Sequence, residues 1–272
     1  MSTTSHRPLA LVTGGSSGIG LELARALRDR GHDLVVVGSS ERVEEAAEEL
    51  RRPSGSGQDA EDAEVTAVRA DLTTYDGVEA VWAAVQAAGR PLDVAALNAG
   101  MGVGGAFVDT DLDEELRMIA LNVTSQVHLA KRVVPAMVAR GSGRVLFTSS
   151  ISATTPTPYE PVYGPTRAFV LSFADGLREE LRGTGVSVTT LLPGATDSEF
   201  HARAGMGDTK FGDNSWKNDR ATVARQGVEA LMRGRAHVVG GDPATKRTAL
   251  VNKFLPEGLK AARQGKAARP QQ

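Results

Sequence analysis

Tyr163 and Arg167 stand four residues apart, in the stretch "YGPTRAF". On a helix, positions i and i+4 share a face. A permanent cation beside a phenol favours the ionised phenol, so Tyr163 is a candidate proton donor and acceptor. Arginine holds the charge without ever releasing a proton. A second constellation lies near the start: in "TGGSSGIG", residues 13 to 20, Gly14, Gly18 and Gly20 have GxxxGxG spacing. Between a strand and a helix, glycines let the backbone turn tightly and approach a pyrophosphate. The helix N-terminus then supplies N–H groups and positive dipole. Gly14, Ser16, Ser17, Gly18, Ile19 and Gly20 are therefore candidate nucleotide-binding residues.

Positioning these groups requires a scaffold in which strands end side by side. Short apolar runs supply it: "LALVTG", "DLVVVG", "VTAVRADL", "LDVAALNAG", "GRVLFTSS", "VSVTTLLPG" and "AHVVGG". They are continuous runs and not alternating ones, the mark of parallel strands buried on both faces. Amphipathic segments separate them, including "IGLELARALRDRG", closed by a glycine, and a long helix over roughly 112 to 139. The helix carrying Tyr163 and Arg167 runs to about 183, and Pro165 suits its first turn. Strands alternating with helices predict an α/β fold: a single domain over 1–272, with a doubly wound parallel seven-stranded sheet and helices on both faces. Residues 53 to 64, "PSGSGQDAEDAE", read as a surface loop.

In such a sheet, ligands bind at the carboxyl ends of the strands. The residues there are Asp71 and Leu72, then Asn98, Ala99 and Gly100, then Ser149 and Ser150, then Pro193 and Gly194. All should share one edge.

Composition narrows the classes. The 272 residues suit one large domain, and with only 4% aromatics the core must be Val, Leu, Ile and Ala. A net charge of −2 gives no electrostatic case for nucleic acid. The absence of cysteine excludes disulfides and thiolate metal sites, and five scattered histidines have no ligand spacing, so no metal is expected. The N-terminus lacks a signal pattern and no apolar run approaches the ~20 residues of a membrane span, so a cytoplasmic protein is expected.

Taken in order, "TGGSSGIG", "ADL" at 70 to 72, "NAG" at 98 to 100, Asn122 in "ALNVTS", "SS" at 149 to 150, Tyr163, and "PG" at 193 to 194 resemble the short-chain dehydrogenase/reductase family, over roughly residues 8 to 240. The resemblance implies a Rossmann fold, a nicotinamide cofactor and hydride exchange between an alcohol and a carbonyl. It implies a catalytic set of Asn122, Ser150, Tyr163 and Arg167, the serine standing thirteen residues before the tyrosine. In this set Tyr163 exchanges a proton with the substrate oxygen, Ser150 holds that oxygen, and Asn122 positions a water. The cation tunes the tyrosine and bonds the nicotinamide ribose. Cofactor contacts are implied for the glycine loop, Asp71, Leu72, Asn98, Ala99, Gly100, Tyr163, Arg167, Pro193, Gly194 and Thr196. Arg167 departs from the family, whose motif is YxxxK. Arginine keeps the charge and several donors but is bulkier, planar, and unable to relay a proton. Tyr159 is a rival tyrosine with Tyr163 four residues on, and is expected at the pocket edge.

NAD-preferring relatives carry an acid at the end of the second strand to accept from the ribose 2′-OH. Here "VVVGSSER" has Gly38 and Ser39 at that place. Ser39, Ser40 and Arg42 are candidate ligands for a 2′-phosphate, which favours NADP(H) with NAD(H) possible. Residues 195 to 236 resemble a helical lid over a small-molecule carbonyl or alcohol substrate. Glycines 205, 207 and 212 would let it move, and Phe200, His201, Met206, Phe211 and Trp216 are candidate pocket or lid-core residues. The basic tail, 250–272, is expected as a frayed, solvated end. A homodimer or homotetramer through the fourth and fifth helices is implied by resemblance. The competing reading is a nucleotide-binding sensor or partner-binding protein, catalytically impaired because the lysine is replaced by Arg167.

Overall fold

The protein is described by a computed structural model covering residues 7–52 and 63–269. The surface loop expected over 53–64 lies outside the described residues except for its last two. The strands are β1 (Leu9–Thr13), β2 (Asp33–Gly38), β3 (Val65–Arg69), β4 (Leu92–Leu97), β5 (Gly143–Thr148), β6 (Val186–Pro193) and β7 (His237–Gly240). They form one seven-stranded sheet in the order β3-β2-β1-β4-β5-β6-β7, every neighbouring pair parallel. The order reverses between β1 and β4, and the crevice at that point is where such sheets bind ligands.

Strand geometry sends successive side chains to opposite faces. Leu9 and Leu11 of β1 join one core with Val35 and Val37 of β2. Ala10 and Val12 join the other with Leu34 and Val36. The first core is covered by α3 (Tyr75–Ala87), α5 (Ser125–Arg140) and α6 (Tyr163–Glu180), through Val81, Leu129, Val133 and Val170. The second is covered by α1 (Gly18–Arg28), α2 (Arg42–Arg51) and α8 (Arg220–Met232), through Leu23, Leu27, Leu50 and Val228. Burying a Leu or Val side chain contributes about 1.5–3 kcal/mol, so these two faces hold the sheet against its helices.

The long helix expected over 112–139 is not uniform. It starts as α4 (Leu112–Ile119), capped by Asp111, whose carboxylate accepts from the backbone N–H groups of Asp113 and Glu114. A π-helical turn, Ala120–Thr124, follows before α5. Single π turns inside α-helices mark places where a side chain needs a special position, and here the turn carries Asn122.

Two expectations need correction. The lid read over 195–236 has its second half in the core, because Val223, Ala224, Val228 and Leu231 of α8 are fully buried. The excursion proper holds the short α7 (Phe200–Arg203) and a 3₁₀ turn at Lys210–Gly212. The tail is not frayed up to residue 269. After α9 (Pro243–Asn252) it forms α10 (Glu257–Ala268), which buries Lys260 and Ala268 against the body. No helix among the described residues is long and apolar enough to cross a membrane.

Candidate active site

The carboxyl ends of the strands surround a cavity of about 760 Å³. At the reversal point Thr13, fully buried, ties β1 to β4. Its hydroxyl oxygen accepts from the N–H groups of Asn98 (2.9 Å) and Ala99 (3.0 Å), and the Asn98 amide donates back to the Thr13 carbonyl (3.1 Å). The chain then turns through Gly14 at φ +65° and Gly18 at φ +57°, a region that favours glycine. Gly20 has a different reason: a Cβ there would sit 2.0 Å from the Gly14 carbonyl oxygen. Ser17 precedes α1 without capping it by its side chain, and no acid occupies the first turn. Gly14, Ser16, Ser17, Gly18, Ile19 and Gly20 all line the cavity. Uncapped helix N–H groups beside close-approach glycines fit a pyrophosphate.

Further along the same cavity lie Ser39, Asp71, Leu72, Asn98, Ala99 and Gly100. Asp71 accepts from the Thr73 N–H (2.9 Å), which holds its carboxyl below the usual carboxylate range. Pro193, Gly194 and Thr196 complete the opposite wall. Ser40 and Arg42 do not line it. Arg42 instead makes a two-bond ion pair with Glu199, from the loop after β6 (2.8 and 3.3 Å). Arg42 and Arg203 together hold the Glu199 carboxyl at about 2.

At the other end α6 begins at Tyr163 itself. Arg167 is buried, only 3% exposed. Its guanidinium lies 5.0 Å from the Tyr163 ring centre, donating to the Thr148 carbonyl (3.3 Å) and the Asn122 side-chain oxygen (3.3 Å). Its Nε has no partner. Gly100 makes room for the bulk of arginine, since a Cβ there would meet Nη2 at 2.1 Å. Ser149 donates to the Arg167 carbonyl (2.8 Å) and so pins the helix, while Ser150 lines the cavity. The Ser150 oxygen accepts from the Ser152 N–H (3.1 Å), leaving its O–H free to donate into the cavity.

Asn122 departs from the implied arrangement. It is fully buried and does not line the cavity. Its oxygen accepts from Met101 N–H (2.9 Å) and Arg167, and its amide donates to the Met101 carbonyl (2.8 Å) and Thr166 hydroxyl (3.1 Å). Both donors and both acceptor directions are used, so the side chain has nothing left for a water. It works as a clamp between the strand-four turn, the π turn and α6.

The end of the cavity beside Tyr163 is aromatic. Phe200 packs on Tyr163 (5.5 Å), and His201 stacks on Phe211 (5.3 Å), which touches Trp216 (5.9 Å). Met206, 1% exposed, clusters with Ala204 and with Ala268 of α10. Tyr159 is not at the pocket edge: its backbone takes φ +66°, and its hydroxyl accepts from Arg269 (3.0 Å) at the end of α10. Two lining features went unseen in the sequence. One is α10, which contributes Lys260, Arg263 and Gln264 to the wall. The other is Glu160, buried in the cavity three residues before Tyr163. Its signal was a carboxylate in a proline-bracketed turn, Pro158 to Pro161.

Burial lowers His201 to about 4, and the Lys217 charge adds to this. Its folded value lies below the usual 6.5, so the unfolded chain binds its proton first. Stability should therefore fall as pH drops from 6.5 towards 4. His201→Phe is expected to remove that loss, about 2 kcal/mol at pH 5. Urea denaturation of both proteins at pH 7 and pH 5 measures it, and equal pH dependence would refute it.

Comparison with known proteins agrees with this geometry. The short chain dehydrogenase family model matches residues 8–207. An uncharacterized oxidoreductase of Staphylococcus epidermidis is 30% identical over 203 residues, 74% of this chain and 84% of its own. A short-chain dehydrogenase from Sphingobium yanoikuyae, solved in complex with NADPH, superposes with a TM-score of 0.78 at 31% identity, covering 97% of this chain and 96% of its own. A bulky-bulky ketone specific alcohol dehydrogenase from Comamonas testosteroni does so with a TM-score of 0.75 at 26% identity, covering 98% and 96%. The glycine-lined crevice at the β1–β4 reversal and the match across most of the chain have one explanation: this is an NAD(P)-dependent oxidoreductase of the short-chain dehydrogenase/reductase family.

Proposed function

We propose that the protein is an NADP(H)-preferring reductase or dehydrogenase of ketones, aldehydes or secondary alcohols, with Tyr163 as general acid and base. One observation carries this: the buried Arg167 cation sits against the Tyr163 ring at the wall of the cavity, beside the free Ser150 donor. A bound nicotinamide supplies or accepts the hydride. Tyr163 gives its proton to the substrate oxygen in reduction and takes it in oxidation. Ser150 donates to the same oxygen and holds its developing charge. The Arg167 guanidinium stabilises the phenolate left behind, and its unpartnered Nε is a donor for a ribose hydroxyl. Asn122 keeps that guanidinium in place. The aromatic wall of Phe200, Phe211 and Trp216 suits an apolar carbonyl substrate. The Comamonas relative is named for bulky ketones, which are carbonyl compounds. Residues 195–219 act as the lid, and turnover of a carbonyl panel with NADPH tests the whole reading.

The NADP(H) preference rests on the missing acid at the end of β2 and on Ser39 in the cavity. The NADPH complex of the Sphingobium relative supports it. Arg42 reaches a 2′-phosphate only by leaving Glu199. Glu199→Gln is therefore expected to tighten NADPH, and Arg42→Ala to weaken it about tenfold, the scale of one charge-assisted hydrogen bond. NADH affinity should stay constant in both. Calorimetric titration of the two cofactors decides, and tighter NADH than NADPH binding by the parent would rule out the preference.

A homodimer or homotetramer is the assembly we assign, through exposed apolar residues of α4 and α6: Leu112, Leu116, Ile119 and Phe169. The sensor reading is not favoured, because Ser150, Tyr163 and a buried cation are all in place.

A further inference from the structure

We propose that Glu160 returns a proton to Tyr163 after each carbonyl reduction, the task that Arg167 cannot perform. The inference rests on the reading of Tyr163 as the proton donor. Reduction consumes a proton: the carbonyl carbon gains a hydride from the bound nicotinamide, and the oxygen takes the Tyr163 hydroxyl proton. A phenolate remains, and it must be reprotonated before the next reduction. A guanidinium does not release its proton. The Asn122 side chain has no free donor or acceptor with which to hold a relay water.

Glu160 is in the right place. It lines the same cavity as Tyr163 and Ser150 and is 4% exposed. It sits on the turn that enters α6: its carbonyl accepts from Gly164 N–H (3.3 Å) and from the Thr157 hydroxyl (2.7 Å), and its own N–H donates to Thr157 (2.9 Å). Its backbone is thus fixed one helical turn ahead of Tyr163. Its carboxyl forms no hydrogen bond or ion pair with any described residue, so nothing in the protein claims its proton. A buried carboxyl held by no partner has no evident structural use.

The other charged and titratable groups at this end of the cavity are committed elsewhere. Lys260 on α10 is bonded to Glu257 (2.7 Å) and the Thr154 carbonyl (3.4 Å). Arg203 on α7 pairs with Glu199, and Lys210 lies over the Trp216 ring. Arg167 and Arg263 are guanidinium groups. Burial keeps His201 neutral near pH 7. Burial also pushes the Glu160 carboxyl up to about 7, where it both gives and regains a proton readily. In the full step the Glu160 O–H bond breaks and the Tyr163 O–H bond forms, directly or through cavity water. Solvent then reprotonates the Glu160 carboxylate. No electrons move.

The test separates first from later turnovers. In the first, Tyr163 begins protonated. Protein loaded with NADPH is mixed with a panel of aromatic ketones and aldehydes at pH 6 to 9, for the parent, Glu160→Gln and Glu160→Asp. Glu160→Gln is expected to keep the rate of the first hydride transfer and lose roughly tenfold or more in steady-state turnover. Added formate or imidazole should restore that loss, and Glu160→Asp should fall between. Unchanged steady-state turnover in Glu160→Gln overturns the proposal. So does an equal fall in first and later turnovers without rescue, which marks a structural role. A parent that binds NADPH but reduces no carbonyl removes the proposed function first, and the proposal with it. A parent that turns over while Glu160→Gln matches it removes the proposal alone.

Discussion

Tyr163→Phe is expected to lower turnover by about 10²–10⁴-fold, the usual contribution of a general acid, and to leave the fold intact. The fold should survive because the Tyr163 hydroxyl makes no hydrogen bond to a described residue, while its ring packs on Phe200. Phenylalanine keeps that packing and loses only the proton. Arg167→Met removes the cation beside the ring and is expected to cost about 10²-fold in hydride transfer. Arg167→Lys keeps the charge and supplies a dissociable proton, so its rate should equal or exceed the parent's. Single-turnover hydride transfer across pH, with circular dichroism to verify folding, measures all three. A Tyr163→Phe variant that reduces a substrate as fast as the parent removes Tyr163 from the chemistry.

Glu160→Gln is expected to stabilise the protein at alkaline pH by about 3 kcal/mol relative to acid. The cause is burial, which raises this carboxyl from its ordinary 4.5 to about 7 with no cation to compensate. A carboxyl raised in the folded state favours folding below pH 4.5, and that advantage is lost as pH rises through 7. At about 1.4 kcal/mol per tenfold change in proton affinity, the total is about 3 kcal/mol. Glutamine cannot ionise and escapes the loss. Any constant cost of burying its amide shifts the difference between the proteins without changing its pH dependence. His201 weakens both proteins alike below pH 6.5, so it cancels. Urea denaturation at pH 4.5, 6 and 8.5 should show a difference that grows with pH and levels off above about 7.5. A difference independent of pH would show that Glu160 ionises freely. If both expectations hold, the enzyme gives up stability at one buried acid in return for a renewable proton, as functional sites often do.

Much of this was open to sequence reasoning because the determinants are local. Continuous Val and Leu runs can only be satisfied between two helical layers, so the strands and their order of appearance followed from periodicity. The glycine loop was legible for a similar reason: Gly14 and Gly18 need positive φ, and Gly20 touches Gly14 a few residues away. Tyr163 and Arg167 were visible as a pair because helical spacing alone joins them. Contacts between distant segments were another matter. Nothing in "ALNVTS" reveals a π turn, which exists because Asn122 must reach Met101, Thr166 and Arg167 together. Nothing near Arg42 reveals Glu199, which lies 157 residues on. The basic composition of the tail suggested solvent, yet α10 closes the cavity, where Lys260 reaches the Thr154 carbonyl 106 residues back and Arg269 reaches the Tyr159 hydroxyl 110 residues back. Glu160 is the sharpest case. Its identity and its closeness to Tyr163 are plain in the sequence. Whether it is an ordinary surface acid or a buried one near neutrality depends on partner charges being kept away, and only the tertiary packing that leaves it 4% exposed decides that.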